Sequence, residues 1–303
     1  MSRVYDIVID RIVKQLEAGI VPWRRPWGGP DHAPRNAASR KFYRGVNVFL
    51  LATASYDASD WLTFRQANLW GGHVRKGERG WPVVFWSVRE TIDPATGQKD
   101  RQFILRQYTV FNVEQCDGLP AVLTQPAAPQ IDFQPIAECE RIVAGLPANR
   151  PAVEHGGTRA CYSPSLDRVQ MPKPERFESA EAYYSVLFHE LTHATGHPSR
   201  LNRPGITDVA PFGSPVYSRE ELVAEMGAAF LCGQAGIDAP ALEVNQAAYL
   251  AGWLRQLRGD SRLVVQAAAQ AQKAADWILG TGGRDVAPHS ETDDADSPAL
   301  VTA

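Results

Sequence analysis

The chain has 303 residues, of which 44% are hydrophobic and 21% charged, and its formal net charge is −3. This is an ordinary balance for a soluble globular protein, and the length predicts two domains rather than a single small module. No apolar run approaches the roughly 18–20 residues that cross a bilayer, which excludes a membrane-spanning chain. The four cysteines lack a CxxC pair, which argues against a disulfide framework or a zinc ribbon.

The charge is divided unevenly along the chain. Residues 1–118 contain 17 Lys and Arg against 12 Asp and Glu, whereas residues 119–303 contain 14 against 22. A basic front region and an acidic rear region suggest a module that binds a polyanion, joined to a module with another task. The first residues carry charges throughout and lack the apolar stretch of a secretory signal, so we expect a cytoplasmic protein.

In the front region, taken here as residues 1–118, apolar residues at helical spacing predict a helix over 3–18. An irregular segment is predicted next, at VPWRRPWGGP. A strand or a helix fits GVNVFLLATA. A short helix before a basic glycine-rich turn is predicted at LTFRQANLWGGHVRKGERG. Strand patterns at 81–88 and 103–113 flank DPATGQ, a plausible hairpin tip. The front domain is therefore predicted to be α+β with an antiparallel ribbon.

The proline-rich residues 119–135 predict the domain linker, and a second α+β domain follows over 136–280. It is expected to contain a helix at 136–145, a strand or hairpin at 159–172, a histidine-rich helix capped by Ser179, and a helix capped by Ser218. Two further helices are expected at about 240–258 and 261–279. The polar residues 281–303 predict a disordered tail.

The histidine-rich helix carries the sequence His189-Glu190-Leu191-Thr192-His193. Residues four apart on a helix share one face about 6 Å apart, so both imidazoles can point at one ion. This H-E-x-x-H spacing predicts a Zn²⁺ site, with another divalent metal such as Mn²⁺ as the alternative. Glu190 stands beside the ion and is the candidate general base for hydrolysis. The alternative is an amphipathic helix whose histidines are merely exposed.

The third ligand must come from outside this helix. A histidine ten residues after the first, as in metzincins, is absent because Ser199 holds that position. Glu220, Glu221 and Glu225 follow on the next helix, where Glu221 and Glu225 share a face. One carboxylate can bind the metal while the other holds a ligand histidine. Glu221 has a competing interpretation as the third residue of a capping box that begins at Ser218.

The segment Glu221-Leu222-Val223-Ala224-Glu225 resembles the second motif of the gluzincin metallopeptidases, and Gly227-Ala228-Ala229 continues a small-residue face for close helix packing. The resemblance implies that Glu221 is the third ligand and that Glu225 holds a ligand histidine. It also implies that the edge strand near 159–170 receives an extended peptide; a plain core hairpin is the alternative.

Six of the eight tryptophans lie in the front region, several beside Arg or Lys. Aromatic faces stack on unpaired bases while cations follow the phosphates, which predicts binding of single-stranded DNA. The candidate contacts are Trp23, Arg24, Arg25, Trp27, Arg40, Lys41, Arg44, Arg75, Lys76 and Arg79. Tryptophans are also common in cores, and for Trp81 and Trp86, in an apolar strand, the core interpretation is favoured.

Taken together, the segments DRIVKQLEAGIVPWRRPW, PRNAASRKFYRGVNVFLL, WLTFRQANLWGGHVRKGERGWPVVFW, YTVFNVEQCDGLP, FHELTHATGHPSRLNR and YSREELVAEMGAAFLCGQAGI resemble the ArdC-type antirestriction proteins of conjugative plasmids. The resemblance covers about residues 5–280. It implies an N-terminal domain that binds single-stranded DNA, joined to a C-terminal zincin-like, gluzincin metallopeptidase domain, in a protein that protects entering plasmid DNA from host restriction.

Three functional hypotheses stay open at this point. In the first, the chain binds and shields single strands while its zinc site is structural or unused. In the second, it is an active metalloprotease that cleaves a host protein, such as a restriction subunit, recruited at DNA. The third, a primase accessory role, rests on related front domains in plasmid primases. Glu190 favours a competent site, because a structural zinc would not need a general base.

Overall fold

The structure, a computed structural model, describes residues 3–18, 21–23, 33–52, 54, 56–92, 99–124, 135–207, 215–237 and 246–281. In the front region the chain forms α1 (Arg3–Glu17), β1 (Arg35–Asn36), α2 (Val46–Ala52), β2 (Asp60–Thr63), α3 (Phe64–Leu69), β3 (His73–Val74), β4 (Trp81–Ile92), β5 (Lys99–Asn112) and β6 (Cys116–Asp117). The helix predicted over 3–18 and the short helix before the glycine-rich turn are both confirmed.

The front sheet has the strand order β1-β2-β5-β4. Strands β4 and β5 form a long antiparallel ribbon, from the pair Trp81–Val110 to the pair Ile92–Lys99. This confirms the predicted ribbon, whose strands are longer than the sequence indicated, while the expected hairpin tip at 93–98 lies outside the described residues. Strand β2 pairs antiparallel with β5 and leads directly into α3, which Thr63 caps by accepting from the N–H of Gln66.

The ambiguous apolar segment forms the helix α2. Its residues Val46 to Leu51 are all buried, which explains why no one-sided periodicity distinguished helix from strand. The Asn47 side chain joins α2 to the ribbon: its amide donates to the carbonyl of Val84 and its oxygen accepts from the Val84 N–H, both at 2.7 Å. These bonds satisfy buried backbone groups on β4 that would otherwise lose their partners.

The rear region begins with α4 (Ala121–Thr124), followed by α5 (Pro135–Ala144). Leu123 in α4 is buried against the front cluster of Leu62 and Val113, so the first residues of the predicted linker pack on the front region. The domain boundaries at 118 and 136 remain predictions. The chain continues through β7 (Ala152–His155), β8 (Cys161–Ser163), β9 (Arg168–Met171), α6 (Ala180–Ala194), α7 (Pro204–Thr207), α8 (Pro215–Ala235), α9 (Gln246–Gly259) and α10 (Leu263–Ile278).

The rear sheet has the order β7-β9-β8. The predicted hairpin at 159–172 is β8 paired antiparallel with β9, and β8 is an edge strand. Strand β7 pairs parallel with β9 and was not predicted, because its four residues have no buried alternation. Ser179 caps α6 as predicted, with its hydroxyl accepting from the N–H of Ala182.

Helix α8 differs from its prediction at its start. It begins at Pro215, three residues before the expected cap, and Ser218 lies inside the helix, where its hydroxyl accepts from the side chain of Gln256 in α9. Proline is favoured in the first turn of a helix because its fixed φ already matches the helical value. The prediction of a capping box at Ser218 is therefore wrong, and so is the interpretation that gave Glu221 only a capping role.

One hydrophobic core runs through both regions. Buried residues of α1 and α2 belong to the same cluster as those of α6, α8, α9 and α10. The rings of Phe49 in α2 and Phe230 in α8 stack with their centroids 4.8 Å apart. The backbone N–H of Gly45 also donates to the side chain of Gln272 in α10. No helix in the described part of the chain is long and apolar enough to cross a membrane.

Candidate metal centre and nucleic-acid interface

Helix α6 presents the two histidines of the H-E-x-x-H motif on one face. Their Nε2 atoms lie 3.2 Å apart, as expected for residues that share a face one turn apart. The histidines are therefore positioned by the helix itself, before any contact with the rest of the protein. His197, beyond the end of α6, has its Nδ1 2.8 Å from the hydroxyl of Ser199.

Glu221 on α8 completes a triangle with these nitrogens. Its Oε2 lies 3.7 Å from His189 Nε2, and its Oε1 lies 3.6 Å from His193 Nε2. Ligand atoms bound tetrahedrally at about 2.0–2.1 Å from one Zn²⁺ are separated from each other by about 3.3–3.4 Å. The three distances, between the two Nε2 atoms and from each Nε2 to one oxygen of Glu221, are within a few tenths of an ångström of that spacing. The residues present thus fit a divalent metal of the zinc type.

Helices α6 and α8 approach closely behind this triangle. A Cβ on Gly227 would lie 2.5 Å from Cγ2 and 2.7 Å from Oγ1 of Thr192, the residue before His193. Thr192 is fully buried and its hydroxyl donates to the carbonyl of Phe188, so it has no room to move aside. The small-residue face predicted on α8 is present, and glycine at 227 permits the helix spacing that brings Glu221 to the histidines.

The carboxylate that holds a ligand histidine is Glu220. Its Oε1 lies 3.3 Å from Nδ1 of His193, the ring nitrogen that points away from the triangle. Glu225, to which the resemblance assigned the support of a ligand histidine, accepts from the indole N–H of Trp23 at 2.8 Å, and its charge also acts on His189. The difference arises from the rotation of α8: adjacent residues stand about 100° apart, so Glu220 and Glu221 can contact opposite sides of one imidazole.

Glu220 is itself held by Arg203, a buried residue that the sequence analysis did not identify. The guanidinium donates to Oε1 of Glu220 at 2.6 Å and to Oε2 at 3.0 Å. It also donates to the hydroxyl of Thr195 and to the carbonyl of Thr192. Burial raises the pKa of Glu220, but the bonds to His193 and Arg203 outweigh it, so the net shift is downward and the carboxylate stays ionised. Arg203 therefore connects α8 to the end of α6.

The charges around His189 favour the protonated, positively charged form of its imidazole. Burial lowers the pKa of His189, but the hydrogen bond to Glu221 and the charges of Glu190, Glu221 and Glu225 outweigh burial, so the net shift is upward. A cluster of carboxylates that stabilises a positive imidazole stabilises a bound cation for the same reason. Glu190, the candidate general base, follows His189 on α6 and is 8% exposed.

The predicted DNA contacts in the front region are dispersed. Trp23 is 2% exposed, with its ring packed edge-on against Trp253, so its ring is a core side chain in this structure and is not open to a base. Arg24, Arg25 and Trp27 lie outside the described residues. Trp81 is half-buried under the guanidinium of Arg11, 3.7 Å from the ring centroid. Trp86, favoured as a core residue, is 41% exposed, because the ribbon extends beyond the core at that point.

The predicted cations divide into two groups. Arg40, Arg44 and Arg75 have carboxylate partners in Asp60, Asp276 and Glu78, respectively. Lys41 is exposed beside a hollow on the front sheet, and Lys76 and Arg79 are exposed on the glycine-rich turn. Arg44 contributes to the contact between the front region and α10. All six of these cations are exposed, so each stays a candidate for a phosphate contact.

The hollow beside Lys41 contains aromatic side chains that sequence analysis overlooked. We call it the front hollow; its lining includes Lys41, Phe42, Thr63, Phe85 and Tyr108. Phe42 is 49% exposed, and Phe64, which follows Thr63, is 55% exposed. A signal is present in the sequence, since Phe42 lies among three cations in Arg40-Lys41-Phe42-Tyr43-Arg44.

Comparisons with known proteins agree with this two-part structure. Residues 2–111 match a family model described as the N-terminal domain of anti-restriction factor ArdC, and residues 138–270 match a model described as a zincin-like metallopeptidase. A crystal structure of the antirestriction ArdC protein from plasmid R388, metal-free, is 37% identical, covers 91% of this chain and 97% of that chain, and has a TM-score of 0.73. The chain belongs to the ArdC antirestriction family.

A second structure of the R388 ArdC protein, described as Mn(II)-bound, is 36% identical with a TM-score of 0.70 and covers 93% of this chain and 98% of that chain. The y4eC protein of Sinorhizobium fredii is 40% identical over 91% of both chains. Two Escherichia coli DNA primases named TraC are 36% and 35% identical over 91% of this chain, which spans only 20% and 27% of their own lengths. This member of the ArdC family thus has the two-domain, mixed helix and sheet architecture that the sequence predicted.

Proposed function

We propose that the protein binds single-stranded DNA that enters by conjugation and protects it from host restriction in the cytoplasm. The observation that carries this proposal is the 37% identity to the R388 antirestriction protein over 97% of that chain. The basic charge of residues 1–118 supports it, because phosphate contacts supply most of the affinity for a single strand.

The front hollow is the surface that best fits an unpaired strand among the described residues. Within the hollow, Phe42 presents an exposed ring for a base and Lys41 supplies a cation; Phe64, the residue after the lining residue Thr63, presents a second exposed ring. Exposed rings of this kind are costly to leave in water, and stacking on a base removes that cost. We place the strand across this face of the front sheet, with Lys76 and Arg79 as further phosphate contacts.

The test is a titration of a fluorescent oligothymidylate in rising salt. Phe42→Ala should weaken binding by about 1–3 kcal/mol, the contribution of one stacked base. Lys41→Ala should reduce the slope of log K against log salt by about 0.7, the value for one phosphate contact with a single strand. Matched controls are Leu166→Ala and Lys173→Ala, which remove an exposed apolar and an exposed basic side chain from the rear region. Salt-independent binding, or a preference for duplex, would contradict the proposal.

The second part of the proposal concerns the metal. His189, His193 and Glu221 would hold a divalent ion, Zn²⁺ or an alternative such as Mn²⁺, since their ligand atoms all lie within 4.8 Å of one another. Such an ion, when bound, polarises a carbonyl group and makes water easier to deprotonate. The protein contributes the orientation of His193 through Glu220, and the base Glu190, which is largely shielded from bulk water on the same helix.

A second candidate function is proteolysis of a host protein recruited at DNA. The presence of Glu190 beside a complete His-His-Glu triangle favours it, because a purely structural site has no use for a base. The edge strand β8, Cys161–Ser163, offers backbone groups to which an extended peptide can add as a further strand. A primase-associated role is the remaining alternative, which the two TraC similarities favour.

Glu190→Gln separates shielding from proteolysis. This variant keeps the shape and the metal ligands but removes the base. If shielding alone protects DNA, conjugation into a restricting host should be as efficient with the variant as with the native protein. If proteolysis is required, protection should fall to the level of His189→Ala, while the metal content of Glu190→Gln, measured by mass spectrometry, stays at the native level.

A further inference from the structure

A large cavity lies between the ribbon and the rear helices, on the side of Arg203 and Glu220 that faces away from the histidines. Its volume is about 760 Å³, and Trp86 of β4 forms one wall. The facing wall is a stripe of α10 that contains Gln266, Gln270 and Lys273, spaced three to four residues apart so that they share a face. We call this space the Trp86 cavity. Its size is within the range of sites that hold a small organic ligand.

The charges of the cavity favour an anion. Glu220 is the one acid among the described lining residues, and it is already paired with Arg203. Arg219 and Lys273 remain as cations at the exposed edge. Arg219 contacts Asp260 at 3.4 Å, but both side chains are about half exposed, and a pair of that kind is weak and easily exchanged for another anion.

The remaining lining favours a flat aromatic group. Trp86 presents an indole that is 41% exposed, and Val223, Val265 and Ala267 form an apolar floor. The amides of Gln266 and Gln270 can each donate and accept hydrogen bonds, which suits the edge of a heterocycle. A ligand that combines a stacking ring, a polar edge and a negative group matches every part of this wall.

We propose that the Trp86 cavity binds a nucleotide unit, with its base against Trp86 and its phosphate at Lys273 and Arg219. The unit can be a free mononucleotide or one residue of a single strand, because both present the same chemistry. The inference goes beyond the DNA-binding face proposed above, since it places a nucleotide between the ribbon of the front region and the helices of the rear region, and it does not depend on the front hollow.

The experiment uses the full chain and two probes, thymidine monophosphate and an oligothymidylate of about 12 nucleotides. Trp86→Ala should weaken binding of the probe that uses the cavity by about 5- to 100-fold, the effect of losing one stacking ring, and Trp86→Phe should restore most of it. Lys273→Gln should lower the salt slope of oligonucleotide binding by about 0.7, whereas Lys173→Gln, an exposed lysine outside the cavity, should not. Unchanged melting temperatures show that each variant is folded.

The outcomes identify the source and separate the two proposals. If Trp86→Ala weakens the binding of thymidine monophosphate, the cavity is a site for a free nucleotide. If it weakens the binding of the oligonucleotide alone, the cavity contacts a strand. Native affinity for both probes in Trp86→Ala and Lys273→Gln overturns the Trp86 cavity proposal, even if Phe42→Ala weakens binding and so supports the front hollow. Trp86-dependent binding of an acidic, phenylalanine-containing peptide, without binding of either nucleotide probe, also overturns it.

Discussion

Substitution of Gly227 by alanine tests whether close helix packing sets the metal geometry. The new Cβ would lie 2.5 Å from Cγ2 of Thr192, whereas carbon atoms in good contact lie about 3.5–4.0 Å apart. Since Thr192 is buried and hydrogen-bonded, α6 and α8 must separate by roughly 1 Å. Overpacking of this kind costs about 1–3 kcal/mol, and the better helix propensity of alanine returns about 1 kcal/mol.

The same displacement should act on the metal site. The distance from His193 Nε2 to Glu221 Oε1 is 3.6 Å, already slightly longer than one tetrahedral ion requires, and further separation moves Glu221 out of reach. We expect Gly227→Ala to lose at least about tenfold in affinity for Zn²⁺ or Mn²⁺, which corresponds to about 1.4 kcal/mol. Competition with a chromophoric chelator measures the affinity, and calorimetry measures the melting temperature.

Gly252→Ala is the matched control, because Gly252 lies inside α9 with nothing within 4 Å of the added Cβ. This variant should gain about 0.5–1 kcal/mol of stability from helix propensity and bind metal like the native protein. If Gly227→Ala raises the melting temperature as much as Gly252→Ala and retains native metal affinity, the link between helix spacing and ligand geometry is refuted.

Three further substitutions test other parts of the structure. Trp23→Phe removes the donor to Glu225 and should cost about 1.5–3 kcal/mol in urea denaturation, without changing oligonucleotide affinity; weaker DNA binding would restore Trp23 as a contact. Asn47→Ala leaves the Val84 backbone groups without their partners and should cost about 2–3 kcal/mol; a change below about 0.5 kcal/mol would contradict the role of Asn47. Arg200 lowers the folded-state pKa of Asp167, so the stability from this pair is present above the unfolded pKa and lost as pH falls through the folded pKa. Asp167→Asn should therefore destabilise the protein near neutral pH, with a difference that disappears in acid; a difference that persists there would exclude the ion pair as its cause.

The sequence predicted the parts of the site that depend on one helix. The spacing of His189 and His193 and the cap at Ser179 are local, so the pattern alone was sufficient. Glu221 needed the resemblance to a second motif. The contact between Glu220 and His193 depends on how α8 is rotated against α6, and no local pattern encodes that rotation.

Three further features of the structure could not be predicted from the sequence, for a related reason. Arg203 lies in an irregular segment and acquires its role from buried partners on two helices. Trp23 lies in a segment rich in proline and glycine, which is compatible with an exposed or a buried ring. Its burial depends on packing against Trp253, far away in the sequence. Strand β7 has no buried alternation and is held by pairing with β9. Each of these depends on contacts between residues distant in sequence.

The hydrophobic core that joins α1 and α2 to the rear helices has a consequence for cooperativity. The front sheet has two small buried clusters of its own, but Phe49 stacks on Phe230 and the front helices share the main buried cluster with α8, α9 and α10, so separation of the two domains would expose part of that core. The chain should therefore melt as one cooperative unit, and a fragment cut near residue 120 should expose apolar surface and aggregate. The matches to the longer TraC proteins include both regions, as expected if the pair is inherited as one indivisible folding unit.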